Sequence, residues 1–95
     1  MSEKSSNDVF FDRADEIIAV ANKQIKEANV PRVSASTQYA AARFNAFSAA
    51  DYANDLEDLK NNRSNAIEFY TEKYREYFTE HLDDYIENYE KYTSE

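Results

Sequence analysis

Glycine and cysteine are absent from this chain of 95 residues, and proline occurs once, at Pro31. Tight hairpin turns, phosphate-binding loops and dinucleotide-binding folds depend on glycine, because its backbone tolerates positive φ and close approach. We therefore predict an all-α fold. The missing cysteine excludes disulfides and thiolate metal sites, which fits a reducing compartment and predicts a cytoplasmic location.

Positive charge and long apolar runs are also scarce. The formal net charge is −8, whereas binding a phosphate backbone requires clustered Lys and Arg, so we expect no nucleic-acid partner. No stretch reaches the roughly 18 apolar residues of a membrane span, and the N-terminal residues are polar, so we expect neither a membrane partner nor a signal segment. The length predicts one helical domain over residues 7–92, with residues 1–6 and 93–95 disordered.

Alanine is abundant in the middle of the chain. Eight of the 20 residues at positions 34–53 are alanine, and we predict a helix over 35–53 with Ser34 as its N-cap. Large rings, such as Tyr39, Phe44 and Phe47, share one face, and methyl groups share the other. Two such faces indicate two neighbours, which makes this the central helix of an antiparallel three-helix bundle.

The helices on either side are bounded by capping and breaking residues. Helical spacing of apolar residues predicts a first helix over residues 7–28, and Pro31 predicts a connection over 29–33. Asn54 and Glu57 have the residue types of a capping box, so we predict that a third helix starts there. Weak helix formers at 61–65 allow a second start near Asn65.

The C-terminal part of the chain carries an apolar stripe from Leu56 to Tyr89 at helical period. A single helix over 55–92 would be about 57 Å long, nearly twice the length of either earlier helix. Either the chain bends near Thr79 to His81 and residues 82–91 fold back as a fourth helix, or the extended helix meets a second copy of the chain. The sequence favours the bend.

Three sequence blocks resemble a known family. They are FFDRADEIIAVAN at 10–22, YAAARFNAF at 39–47 and YREYFTEHLDDYIENY at 74–89. Together they resemble a family of short bacterial proteins described only as a domain of unknown function. The resemblance implies a small all-helical domain, and it implies no activity, substrate or cofactor.

Arg43 is the first candidate binding residue. It lies between rings on its helix, and its guanidinium could bind a small anionic ligand in a cleft between the first two helices, together with Tyr39 and Asn45. The favoured alternative is an internal ion pair to one of the carboxylates at positions 12, 15 and 16, because a buried charge is normally paired.

His81, the single histidine, is a weak metal candidate. Glu80, Asp83 and Asp84 lie near it, but the paired Glu-x-x-His of di-iron bundles and the His-Glu-x-x-His motif are both missing. A solvated acidic face is the favoured interpretation, so we expect no metal and no cofactor.

Nucleophilic catalysis requires a nucleophile, a nearby base and hydrogen-bond donors for the developing oxyanion. A chain with one histidine, no cysteine and no glycine turn does not easily assemble these groups, so we expect no enzyme.

Tyrosines crowd the C-terminal third. A tyrosine ring can be buried while its hydroxyl stays hydrated, which suits interfaces. We predict that the protein is a non-enzymatic helical module acting through protein–protein contact or self-association, with a homodimer as the first expectation. The candidate interface residues are Leu82, Tyr85, Ile86, Tyr89 and Tyr92.

Overall fold

The computed structural model describes residues 5–93, and the prediction of an all-α fold is confirmed for them, since they contain helices and no strand. Two segments, 1–6 and 93–95, were predicted to be disordered. Ser5 caps the first helix, Ser6 begins it, and Thr93 ends the last helix. The other residues of both segments lie outside the described part of the chain. The helices within this part of the chain are α1 (Ser6–Gln24), α2 (Val30–Tyr52), α3 (Leu56–Asn61), α4 (Arg63–Glu87) and α5 (Tyr89–Thr93).

Helix α1 begins with a reciprocal cap. The Asp8 amide donates to Ser5 Oγ at 3.1 Å, and the Ser5 amide donates to Asp8 Oδ2 at 3.3 Å. This capping box satisfies two amides that the first turn leaves without helical partners. The helix ends at Gln24, four residues before the predicted end at Ala28.

Helix α2 begins earlier than the sequence predicted, and the assignment of Ser34 as its N-cap is wrong. The Arg32 amide donates to Asn29 Oδ1 at 2.9 Å, and the Val33 amide donates to the Asn29 carbonyl at 3.2 Å, so Asn29 is the cap. Pro31 lies in the first turn of the helix. Amides in that turn have no carbonyl partner within the helix, so the N–H that proline lacks removes no helical hydrogen bond. The predicted connection over 29–33 therefore lies instead at 25–29.

Substituting the observed cap should destabilise the protein, and substituting the predicted cap should not. We expect Asn29→Ala to lower the free energy of unfolding by about 1 kcal/mol, because an amide of the first turn loses its acceptor. Ser34→Ala, inside α2, should change it by less than about 0.5 kcal/mol. Urea unfolding followed by circular dichroism measures both, and equal losses would contradict this assignment of the cap.

The start of α3 lies one residue beyond the predicted cap. Asp55 has extended backbone angles, and its Oδ1 accepts the Asp58 amide at 2.8 Å. Asp58 Oδ2 in turn accepts the Asn54 amide at 2.9 Å, so two carboxylates hold this turn. The chain leaves helical geometry again at Asn62, within the segment predicted to be weak helix.

Helix α4 runs without interruption from Arg63 to Glu87, so the predicted bend near Thr79 to His81 is wrong. Neither proline nor glycine occurs there, and each residue of this stretch is tolerated in a helix interior. The break lies at Asn88, where φ is −113° and ψ is 31°. Residues 82–87 therefore extend α4, and α5 follows as a separate short helix within the described residues.

Burial is sparse in the described residues. Val33, 5% exposed, forms the buried apolar core there, whereas 22 large apolar side chains are exposed. Both Tyr39 and Phe47 of α2 are at least 60% exposed, and coverage of both faces of this helix by neighbouring helices stays a prediction. None of the described helices combines the length and apolar character needed to cross a bilayer.

Contacts within the chain divide it into two units, with the division between Phe44 and Asn45. The first unit contains α1 and most of α2, and the second contains α3, α4 and α5. The antiparallel three-helix bundle and the single domain over 7–92 stay predictions.

Candidate interaction surface

Large apolar side chains follow one face of α4, at steps of three and four residues that keep them aligned on a helix. All but Tyr70, which is half-buried, are exposed. We call this set, together with Tyr89 at the start of α5, the α4 stripe; its members are Ile67, Tyr70, Tyr74, Tyr77, Phe78, Leu82, Tyr85, Ile86 and Tyr89.

The middle of the α4 stripe is ordered by contact between its own rings. Tyr74 and Phe78 are one helical turn apart, and their rings stack with centroids 5.8 Å apart and an interplanar angle of 15°. Aromatic pairs at this spacing stabilise a helix and restrict each other's rotamers. This contact therefore holds two rings of the stripe in a fixed arrangement.

The predicted interface residues lie at the C-terminal end of this face. Leu82 is 47% exposed, Tyr85 53% and Ile86 68%. Tyr89 and Tyr92 lie beyond Asn88, in α5. All are exposed, and helical spacing keeps Leu82, Tyr85 and Ile86 on one side of α4.

A polar cluster joins α4 to α5; we call it the C-terminal clamp, and it consists of Asp84, Asn88 and Tyr92. The Tyr92 hydroxyl donates to Asp84 Oδ2 at 2.6 Å, and the Asn88 side-chain amide donates to Asp84 Oδ1 at 2.8 Å. The Tyr92 ring also lies 4.5 Å from that of Tyr85, centroid to centroid. The clamp therefore fixes α5 across the break at Asn88.

The clamp changes the proton affinity of both end groups. The hydrogen bond from Tyr92 lowers the pKa of Asp84 below its ordinary 3.8, with a smaller lowering from Asn88. The same hydrogen bond, together with desolvation and the Asp84 charge, raises the pKa of Tyr92 above 10.0. Both shifts follow because the bond requires a protonated phenol and is strongest when the carboxylate is ionised.

The signs of these shifts define the pH range of the clamp. The Asp84 contribution to stability is complete above pH 3.8 and is lost as pH falls through the lowered pKa. The Tyr92 contribution is complete below pH 10.0 and is lost as pH rises through the raised pKa. The clamp thus holds α5 through the whole neutral range.

Removing the Tyr92 hydroxyl should release the Asp84 carboxylate. We expect Tyr92→Phe to raise the pKa of Asp84 toward its ordinary 3.8, because the largest cause of its lowering is lost while the ring is kept. Asn88→Ala should raise it less. Carbon-13 NMR titration of the Asp84 carboxyl measures both, and an unchanged pKa in Tyr92→Phe would contradict the clamp.

The residues of the predicted anion cleft do not converge on α2. Tyr39 and Arg43 are one turn apart and share a face, and both are exposed. Asn45 is two residues beyond Arg43, about 200° round the helix, and is half-buried on the opposite side. The helix therefore separates the amide from the guanidinium, and both a ligand at Arg43 and its ion pair with α1 stay predictions.

Neither a cluster of metal-binding side chains nor an enclosed pocket identifies a functional site besides the α4 stripe in the described residues. His81 is exposed, and the part of the chain that the structure describes contains no group of three or more potential metal-binding side chains. One shallow, open depression is lined by Ile67, Glu68, Thr71 and Arg75, among others of α4. Because its lining comes from a single helix, it is a surface groove and not an enclosed cavity.

The C-terminal clamp is the feature that sequence reasoning missed. Asp84 was interpreted as part of a solvated acidic face and Tyr92 only as an interface ring. The available signal was their spacing: residues at i, i+4 and i+8 lie on one helix face, and Asp84, Asn88 and Tyr92 have this spacing.

Comparison with known proteins supports the fold and the family. A solved structure titled as the NMR structure of the protein NB7890A from Shewanella sp. shares 30% sequence identity with this chain, with a TM-score of 0.74. The match covers 98% of this chain and 95% of that one. No curated protein matches the chain. A family model described as "Protein of unknown function (DUF3144)" matches residues 10–86, and this chain belongs to that family.

Proposed function

We propose that this protein is a non-enzymatic helical module that acts by binding protein, and that its first partner is a second copy of itself at the α4 stripe. The observation that supports the proposal is the unbroken course of α4 through residues 79–81. Without a bend there, residues 82–86 do not fold back, and their apolar side chains remain exposed. The alternative of a second copy then follows from the same stripe.

The exposed area of the α4 stripe is sufficient for a dimer. Most of its side chains are about half exposed. Because a tyrosine or phenylalanine presents about 150–250 Å², the nine members together leave on the order of 800 Å² accessible. That value is about what each partner contributes to a stable interface of standard size.

The composition of the stripe suits a protein partner. Aromatic residues are enriched at the centres of protein interfaces, where charged residues are depleted, and the stripe is mainly tyrosine with isoleucine, leucine and phenylalanine. The acidic residues of α4 lie at the edges of the stripe and on the opposite side of the helix. An apolar surface flanked in this way favours burial against another apolar helix over contact with an anionic polymer.

Light scattering after size-exclusion chromatography tests the proposal on the purified chain. We expect a mass of two chains at high protein concentration and a shift toward one chain on dilution. Because each copy carries a net charge of −8, raising the salt concentration should screen their repulsion and shift the equilibrium toward the dimer. A mass of one chain at every concentration and salt level would contradict self-association.

A further inference from the structure

We propose that the two copies pair with their α4 helices antiparallel, around a two-fold axis near Phe78. This inference rests on the proposed function, because it concerns the same α4 stripe. It is carried by the distribution of charge along α4 and α5 and by the positions of the two ends of the stripe.

Charge is divided unequally between the halves of these helices. Residues 63–77 contain three cations and three acids, and the cations are Arg63, Lys73 and Arg75. Residues 79–93 contain five acids against Lys91 alone. A parallel pair would bring two strongly negative halves together, which is unfavourable, whereas an antiparallel pair brings each negative half against the balanced half of the partner.

The cations of residues 63–77 lie where they can contact the acidic half of an antiparallel partner. Arg75 lies beside the α4 stripe, one turn before Thr79, and is exposed. The Lys73 ammonium is paired with Glu76 in its own helix at 3.4 Å, and both side chains are exposed. Such exposed pairs contribute little by themselves, so the Lys73 ammonium remains available to the partner's acidic half.

The register follows from the extent of the stripe. Ile67 and Tyr89 are its first and last members, and Phe78 is midway between them. Full overlap of two antiparallel stripes therefore places Ile67 of one copy near the partner's Tyr89. It places Phe78 of each copy against the partner's Phe78, and Tyr74 of each copy against the partner's Leu82, because a two-fold interface is self-complementary.

Single introduced cysteines can measure this orientation, since the natural chain has none. The two variants are Ile67→Cys and Tyr89→Cys, each treated with a short bismaleimide cross-linker, alone and as an equal mixture. Ile67 and the last residue of α4, Glu87, are about 30 Å apart along the helix, so positions 67 and 89 of one chain lie beyond the reach of such a reagent. Light scattering on each variant first establishes that it still forms dimers.

Antiparallel pairing predicts that neither variant cross-links alone above background and that the mixture yields a heterodimer carrying one chain of each, at least tenfold above the single variants. Strong cross-linking of each variant with itself would overturn the antiparallel arrangement and leave the proposed dimer intact. Dimers without cross-links in any sample would overturn the α4 stripe as their interface. Wild-type chains that are monomeric throughout would overturn the proposed function and this inference together.

Discussion

Leu82→Glu is expected to convert the proposed dimer to monomers, raising its dissociation constant at least about 100-fold. Leu82 lies within the α4 stripe and is 47% exposed in the single chain, so a partner would bury a large part of it. Burying a carboxylate without a partner group is strongly unfavourable. Two-fold symmetry introduces the change twice in each dimer, which doubles its effect.

A control variant separates the position from the added charge. Asn65→Glu adds the same charge to α4 at an exposed site on the side opposite the stripe, so the dimer should persist. Sedimentation equilibrium measures both dissociation constants, and circular dichroism checks that the helices remain. Equal weakening by both variants would assign the effect to net charge and contradict an interface at Leu82.

The second large effect concerns the continuity of α4. Glu80→Pro is expected to lower the free energy of unfolding by about 3 kcal/mol, because proline removes a helical N–H and clashes with the preceding turn. It should also prevent dimerisation, since the two halves of the stripe would no longer share one face. Chemical unfolding and light scattering measure these two results.

Two controls accompany the proline. Glu80→Ala removes the same side chain and keeps the helix, so both stability and dimerisation should remain. Leu56→Pro places proline at the first position of α3, after Asp55 in extended conformation, where the ring is tolerated. If Glu80→Pro cost no more than Leu56→Pro, the chain would be bent near Thr79 to His81, as the sequence alone favoured.

Local chemistry made much of the fold predictable. The absence of glycine indicated an all-α fold, and apolar spacing located the helices. Caps were predicted to within one residue where the pattern was simple, as at Asp55, and incorrectly where two signals competed. At α2 the proline was taken to exclude a helix start, although the first turn is the part of a helix that accepts it.

The error at residues 79–81 had a different origin. It followed from the assumption that a small domain must fold back to cover its own stripe, and not from any breaking residue, since Thr79, Glu80 and His81 include neither proline nor glycine. An assumption about compactness therefore overrode local propensity. Sequence periodicity identifies an apolar face, but it does not identify what covers that face.

The candidate site was predictable in composition and not in detail. The apolar residues of the proposed interface followed from helical period alone. The C-terminal clamp depends on an aromatic hydroxyl reaching a carboxylate two turns earlier, and the Asp84 and Tyr92 side chains have other exposed arrangements that sequence spacing does not exclude.

The central claim is that the apolar side chains at the end of α4 are covered by another copy of the chain. An isotope-filtered NOE experiment on a mixture of carbon-13-labelled and unlabelled chains tests it directly, because it detects contacts only between different molecules. We predict intermolecular signals from the Leu82 methyl groups to the Tyr74 ring of the partner. The absence of intermolecular signals from the Leu82 methyl groups would contradict the claim.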